Sequence, residues 1–316
     1  MPEQRLEVVR DNQRGLLPLY ASHDWRIVQP DIERVLVVVH GRLRNADDYF
    51  ASGLKTVQAA DAAAHTMLLA PQFMHHGDAT GQPSTSTEPL LYWQGEQWMG
   101  GAPSANFIAI SSFDALDALL GQLTDRTRFP HLRQVVLAGH SGGAQLVQRY
   151  AVVGHGDAVL AQSGIALRYV IANPSTYLYF NTERPAPDPI ACPGFNQWKY
   201  GGDQAPPYVS QPLREYEKAY AARDVIYLLG DADVDPHHPA LDRSCAARTQ
   251  GGNRWERGLG YVRYLQSRHP DGLHHRLLIV AGIGHDGARM LNSACGLAAL
   301  FDRAGCATDS RSAPPK

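Results

Sequence analysis

Six short apolar runs along the chain read as buried strands: residues 34–40 (RVLVVVH), 66–70 (TMLLA), 134–138 (QVVLA), 168–172 (RYVIA), 225–229 (VIYLL) and 276–281 (RLLIVA). Polar and apolar positions do not alternate within them. Both faces of each strand must then be covered, as in a parallel sheet packed between helices. Between most of the runs the period changes, and helical patterns cover 46–64, 112–123, 143–153, 214–223 and 287–301. Ser111 or Ser112 stands where an N-cap belongs, ahead of FDALDALLGQL. Strands alternating with helices predict an α/β fold: a mostly parallel central sheet flanked by helices.

Two long irregular stretches interrupt this rhythm. Residues 71–106 carry Trp93 and Trp98, and the proline-rich stretch 173–213 carries Trp198 and Tyr200. Loops of this length in a compact domain are usually functional, and their aromatic content argues against disorder. The second reads as a cap-like insertion, with Trp93, Trp198 and Tyr200 as candidate substrate-binding side chains. The expected organisation is one α/β domain over 1–307, with a disordered polar tail over 308–316.

Composition narrows the partners. With 316 residues and 44% hydrophobic content the chain can bury a large core. A net charge of -2 gives no reason to expect a nucleic acid or an anionic membrane surface. No apolar run reaches the roughly 18 residues of a membrane span. The opening MPEQRLEVVRDNQRG has no apolar core and does not read as a signal peptide. None of the four cysteines sits in a CxxC pair, which argues against zinc. Cys192 and Cys245 lie in Pro/Gly-flanked loops, and Cys295 and Cys306 bracket one short segment. Two disulfides, 192–245 and 295–306, are the favoured pairing. They favour a secreted or periplasmic protein over a cytoplasmic one.

The chemistry concentrates at QVVLAGHSGGAQLVQRY, where Gly139-His140-Ser141-Gly142-Gly143 fits G-x-S-x-G between a strand and a helix. That setting exposes a serine hydroxyl at the carboxyl edge of a sheet. A hydroxyl is a poor nucleophile until a base takes its proton, and the base needs an orienting acid. Two later strands lead into GDADVDP, with Asp233, and GIGHDG, with His285.

With HGR (residues 40–42), GHSGG, GDADVDP and GIGHDG in this order, the chain resembles the α/β-hydrolase-fold serine hydrolases from about residue 34 to 301. The resemblance implies Ser141 as nucleophile, His285 as base and Asp233 as acid, the last because the family's acid commonly lies three residues beyond a strand-closing glycine. It also implies an oxyanion hole made by the N–H groups of Gly142 and Arg42. No cofactor is implied. Gly142 stands where many polyester-cleaving relatives carry methionine, so close kinship to those enzymes is not implied. The expected activity is cleavage of small-molecule or polymeric carboxylic esters, with a peptidase or amidase, or a non-catalytic binding module, as alternatives.

Three other patterns compete. Asp231, Asp233, Asp235 and Asp242 fall at EF-hand spacing, but Pro236 replaces the turn glycine and a strand leads in. Gly282, Gly284 and Gly287 outline a dinucleotide fingerprint, with too little chain after them for the rest of that fold. The pairs His75-His76 and His237-His238 suggest metal ligands, but read better as surface loop residues.

Overall fold

The computed structural model describes residues 2–79, 90–186 and 192–306; the expected disordered tail lies outside these. In chain order the elements are β1 (Gln4–Arg10), β2 (Gln13–Ala21), β3 (Arg34–Val39), α1 (Ala46–Ala59), β4 (Thr66–Pro71), β5 (Met74–His75), α2 (His76–Ala79) and β6 (Tyr92–Trp93). A 3-10 turn over Gln97–Gly100 precedes α3 (Ser112–Gln122), β7 (Gln134–His140), α4 (Gly142–Val153), α5 (Gly156–Ala161) and β8 (Ala166–Ala172). The chain ends with α6 (Leu213–Ala222), β9 (Asp224–Gly230), α7 (Cys245–Arg248), α8 (Arg254–Arg268), β10 (His275–Val280), α9 (Gly287–Asn292) and α10 (Ala294–Phe301).

All six expected strands form, and they pair in parallel in the order β4-β3-β7-β8-β9-β10. The N-terminal stretch adds a hairpin, in which β2 pairs antiparallel to both β1 and β4. Its turn places Asp11 and Asn12 at positive φ, the twist that two-residue hairpins favour. Strand periodicity sends alternate residues into two cores. Val35, Val37 and Val39 pack on one side with α3, α4 and α8. Leu36 and Val38 pack on the other with α1, α9 and α10. Ser111 caps α3: its hydroxyl accepts from Asp114 N, and the Asp114 carboxylate accepts from Ser111 N. Helix α1 stops at Ala59, short of the expected 64, and the expected final helix breaks at Ser293, which caps α10.

The described part of 173–213 carries no helix or strand before α6. It buries Tyr177, Leu178 and Tyr179 completely, so it is part of the packed body rather than a detached flap. Helix α8, unforeseen, begins at an Asn253 cap. It buries two arginines, Arg254 and Arg257; Arg257 donates to the carbonyls of Gly251, Ser175 and Asp242.

Disulfides join Cys192 to Cys245 and Cys295 to Cys306. Among the described residues no helix is long and apolar enough to cross a membrane.

Where β7 turns into α4, backbone touches backbone. A Cβ on Gly143 would lie 2.4 Å from the Val39 carbonyl oxygen and 2.5 Å from that of His40, and one on Gly139 would lie 2.4 Å from Gly143 itself. Neither neighbour is a side chain that could swing away. Gly143→Ala should therefore lower stability by about 3 kcal/mol or more in a denaturant titration, since the strand and helix must separate. The 53-residue separation closed by Cys192–Cys245 should make the Cys192→Ser/Cys245→Ser variant about 2–4 kcal/mol less stable. An unchanged midpoint would count against that tether.

Candidate active site

Ser141 occupies the tip of this turn at φ 57°, ψ −115°, with its N–H donating to Ala172 O (3.0 Å). A non-glycine residue holds such a conformation only when its surroundings enforce it. The side chain is lifted off the carboxyl end of β7, toward the loops that follow β9 and β10.

Those loops deliver the other two expected residues. Asp233 sits three residues beyond Gly230, and its N–H donates to the Gly230 carbonyl (3.1 Å). His285 sits in the loop after β10, entered through Gly282 at φ 69°. Asn173 ties the two loops together: its side-chain oxygen accepts from Gly230 N (2.9 Å) and its amide donates to Gly284 O (3.3 Å). His285 Nε2 lies 2.9 Å from Ser141 Oγ, and Nδ1 lies 2.8 Å from Asp233 Oδ2. An ionised carboxylate only accepts, so Nδ1 carries the proton and Nε2 is left to accept from the hydroxyl.

The surroundings include groups the sequence reading did not assign. Arg254, buried at the start of α8, donates to the second carboxylate oxygen of Asp233 (3.3 Å), while the Trp255 N–H donates to the Asp233 carbonyl. The spacing Asn253-x-x-Glu256 is a capping pattern that could have revealed this helix start. The ring of His140, the variable position of the serine motif, lies 4.6 Å from that of His285 and is hydrogen-bonded through Nδ1 to the Tyr49 hydroxyl (2.9 Å). The ring of His238, read from sequence as a surface residue, lies 4.8 Å from His285 on another side. Burial pulls His285 below its ordinary 6.5; Asp233 opposes this, and the positive charge of Arg254 and proximity of His238 reinforce it. His140 is pushed further down, by burial first and then by His285, so it is neutral.

The HGR segment is held by His40, whose Nδ1 donates to Gly41 O (2.8 Å) and whose Nε2 accepts from Phe73 N (3.0 Å). This brings the Arg42 backbone nitrogen to 3.0 Å from where a Cβ on Gly142 would stand. The same imagined atom would lie 2.6 Å from Met99 Cε. Met99, from the 3-10 turn, thus fills the space beside the nucleophile that a side chain at 142 would need.

Of the candidate substrate contacts, Tyr200 lines a cavity at Ser141. Trp93 does not: it is fully buried, with Nε1 donating to Ala102 O (2.9 Å) and its ring against Phe73, because the loop after β6 folds down onto the sheet. Trp98 is equally buried, stacked on Phe73. Trp198 donates to Gly100 O (2.6 Å) and packs against the core. The four aspartates at EF-hand spacing take separate partners: Gly282 N for Asp231, His285 and Arg254 for Asp233, His237 N for Asp235, Tyr200 and Lys199 for Asp242. The glycine-rich loop after β10 follows an edge strand and leads His285 back to the serine.

Two cavities meet at Ser141. The larger, about 560 Å³, includes Leu43, Tyr49, Ala288 and His285 in its walls. The smaller, about 390 Å³, includes Gly142, Lys199, Tyr200 and Asp242.

Residues 36–309 match the model of the Alpha/beta hydrolase family. Among solved structures, a poly(3-hydroxybutyrate) depolymerase, LpqC, from Bordetella parapertussis is similar with a TM-score of 0.64 and 23% identity, over 98% of this chain and 93% of that one. Poly(aspartic acid) hydrolase-1 from Sphingomonas sp. KT-1 is similar with a TM-score of 0.62 and 21% identity, over 91% and 94%. At these identities the likeness is one of fold. No curated protein matches in sequence. The family match over most of the sequence, joined to the strand–elbow–helix architecture around Ser141, shows that the chain belongs to the alpha/beta hydrolase family.

Proposed function

We propose that the protein is a serine hydrolase that cleaves carboxylic esters through an acyl-enzyme on Ser141. The observation that carries this reading is the unbroken hydrogen-bonded line from hydroxyl to imidazole to buried carboxylate, 2.9 and 2.8 Å long. As Ser141 Oγ attacks the ester carbonyl carbon, His285 Nε2 takes its proton. Asp233 fixes the tautomer and stabilises the imidazolium. The N–H groups of Gly142 and Arg42 receive the developing oxyanion, each contributing about 3 kcal/mol of barrier lowering. The imidazolium protonates the departing alcohol, and water repeats the sequence on the acyl-enzyme. Esters are favoured over amides because an alcohol is the more readily expelled leaving group. The two disulfides favour an oxidising compartment, secreted or periplasmic.

Ser141→Ala should abolish p-nitrophenyl acetate hydrolysis and fluorophosphonate labelling with little change in melting temperature. Residual activity above about a tenth would remove the nucleophile. Because His285 must be neutral to act and its pKa is depressed, kcat/KM should hold as pH falls through 6.5 and drop only below it. Arg254→Met removes a positive charge, so His285 becomes more basic and the acid limb should move to higher pH. A limb that moves down, or stays, would contradict the role given to Arg254.

A further inference from the structure

A tetrahedral carbon on Ser141 Oγ carries three other groups: the oxyanion, the leaving group and the acyl chain. On the esterase reading above, the leaving group must come within reach of His285 Nε2. His285 lines the larger cavity and not the smaller, Gly142 lines the smaller and not the larger, and Arg42 lies where the two meet. The smaller cavity is therefore the one that takes the acyl chain.

Its walls are charged. Three cations, Arg42, Lys199 and Arg243, line it with two carboxylates, Glu96 and Asp242. Glu96 is ion-paired with Arg42. Asp242 accepts from the Tyr200 hydroxyl (2.8 Å) and the Ser244 N–H (3.0 Å) and faces Lys199 (3.5 Å). Burial would raise its pKa, yet Lys199 and these donors hold it down to about 2. Both carboxylates are thus answered within the protein. Arg42 is answered as well, by Glu96 and by the Pro239 carbonyl (3.0 Å), but Lys199 and Arg243 are not answered to the same degree. The Lys199 side chain is only 17% exposed, and its three ammonium donors face one carboxylate, Asp242, at 3.5 Å and the Tyr200 ring at 5.8 Å. Burial lowers its pKa, and Asp242 only partly opposes this. Arg243 is exposed at the rim of the same cavity.

We propose that this cavity is an acyl subsite for acids that carry a second carboxylate, recognised by Lys199 and Arg243. The bound carboxylate takes the ammonium hydrogens that Asp242 leaves over and reaches the guanidinium at the rim. Preferred substrates are monoesters of dicarboxylic acids, with an uncharged alcohol in the cavity beside His285.

Monobenzyl glutarate and benzyl valerate differ by a carboxylate in place of a terminal methyl group and share the leaving alcohol. The wild-type protein should show a kcat/KM for the glutarate monoester about tenfold or more above that for the valerate. The ratio should fall toward unity in Lys199→Met and in Arg243→Gln; the second changes an exposed residue and serves if the first fails to fold. Calorimetry on Ser141→Ala should show glutarate binding more tightly than valerate. Equal rates on the two esters, or a ratio unmoved in both variants, would overturn the subsite and leave the esterase reading standing. Turnover of neither ester would sink the esterase reading, and the calorimetric comparison then decides the subsite alone.

Discussion

The backbone of Ser141 is held where an L-residue does not rest by itself, and the architecture around it exists to keep it there. Strain at such a position costs on the order of 1–3 kcal/mol, which the surrounding structure must offset. It does so by close contact: Gly139 and Gly143 let α4 settle onto the ends of β3 and β7, and every residue of α4 is buried. A helix packed all round cannot drift, so the hydroxyl is fixed relative to the sheet. The loops after β9 and β10 are fixed to the same frame through Asn173, and Ala232 N–H donates to Ile283 O between them. Three side chains far apart in sequence meet because the loops that carry them are bonded to one another, through the Asn173 side chain and through backbone.

Much of this was legible in the chain and some was not, for identifiable reasons. The six central strands are buried on both faces, so they stand out as continuous apolar runs. Ser141, Asp233 and His285 follow strand ends, so order along the chain located their loops, and the resemblance to the family picked Asp233 from the three aspartates of GDADVDP. The hairpin β1–β2 escaped because its Asp11-Asn12 turn lacks the glycine that usually announces such a turn. Helix α8 escaped because RWERGLGYVRYLQSR is rich in arginine and glycine, yet Arg254, Arg257, Tyr261 and Leu265 are buried. Its apolar stripe is thin because buried arginines take up part of it, Arg254 on the Asp233 carboxylate and Arg257 on backbone carbonyls. Trp93 was misplaced for the converse reason: an aromatic residue in a long loop can equally well be the plug that seats that loop on the core.

Electrostatics at the site follow from burial. Asp233 is almost fully shielded, and a shielded carboxylate is costly unless both oxygens are satisfied. His285 takes one and Arg254 the other. The guanidinium makes the imidazole less ready to hold a second proton, and the neutral ring of His140 adds no charge beneath it. Charge is thus confined to the acid end of the line, and the hydroxyl end stays neutral at rest.

Arg254 of α8 grips the carboxylate behind the histidine, and one turn later Arg257 grips the carbonyls of Ser175 and Asp242 on the wall of the smaller cavity. On the function and subsite proposed above, proton handling and recognition of the acid portion are geared to the same pair of guanidinium anchors. A shift of that helix by even a fraction of a turn would disturb both at once, which makes its first turn a keystone that adaptation to new substrates has to leave in place while it reworks the loops on either side.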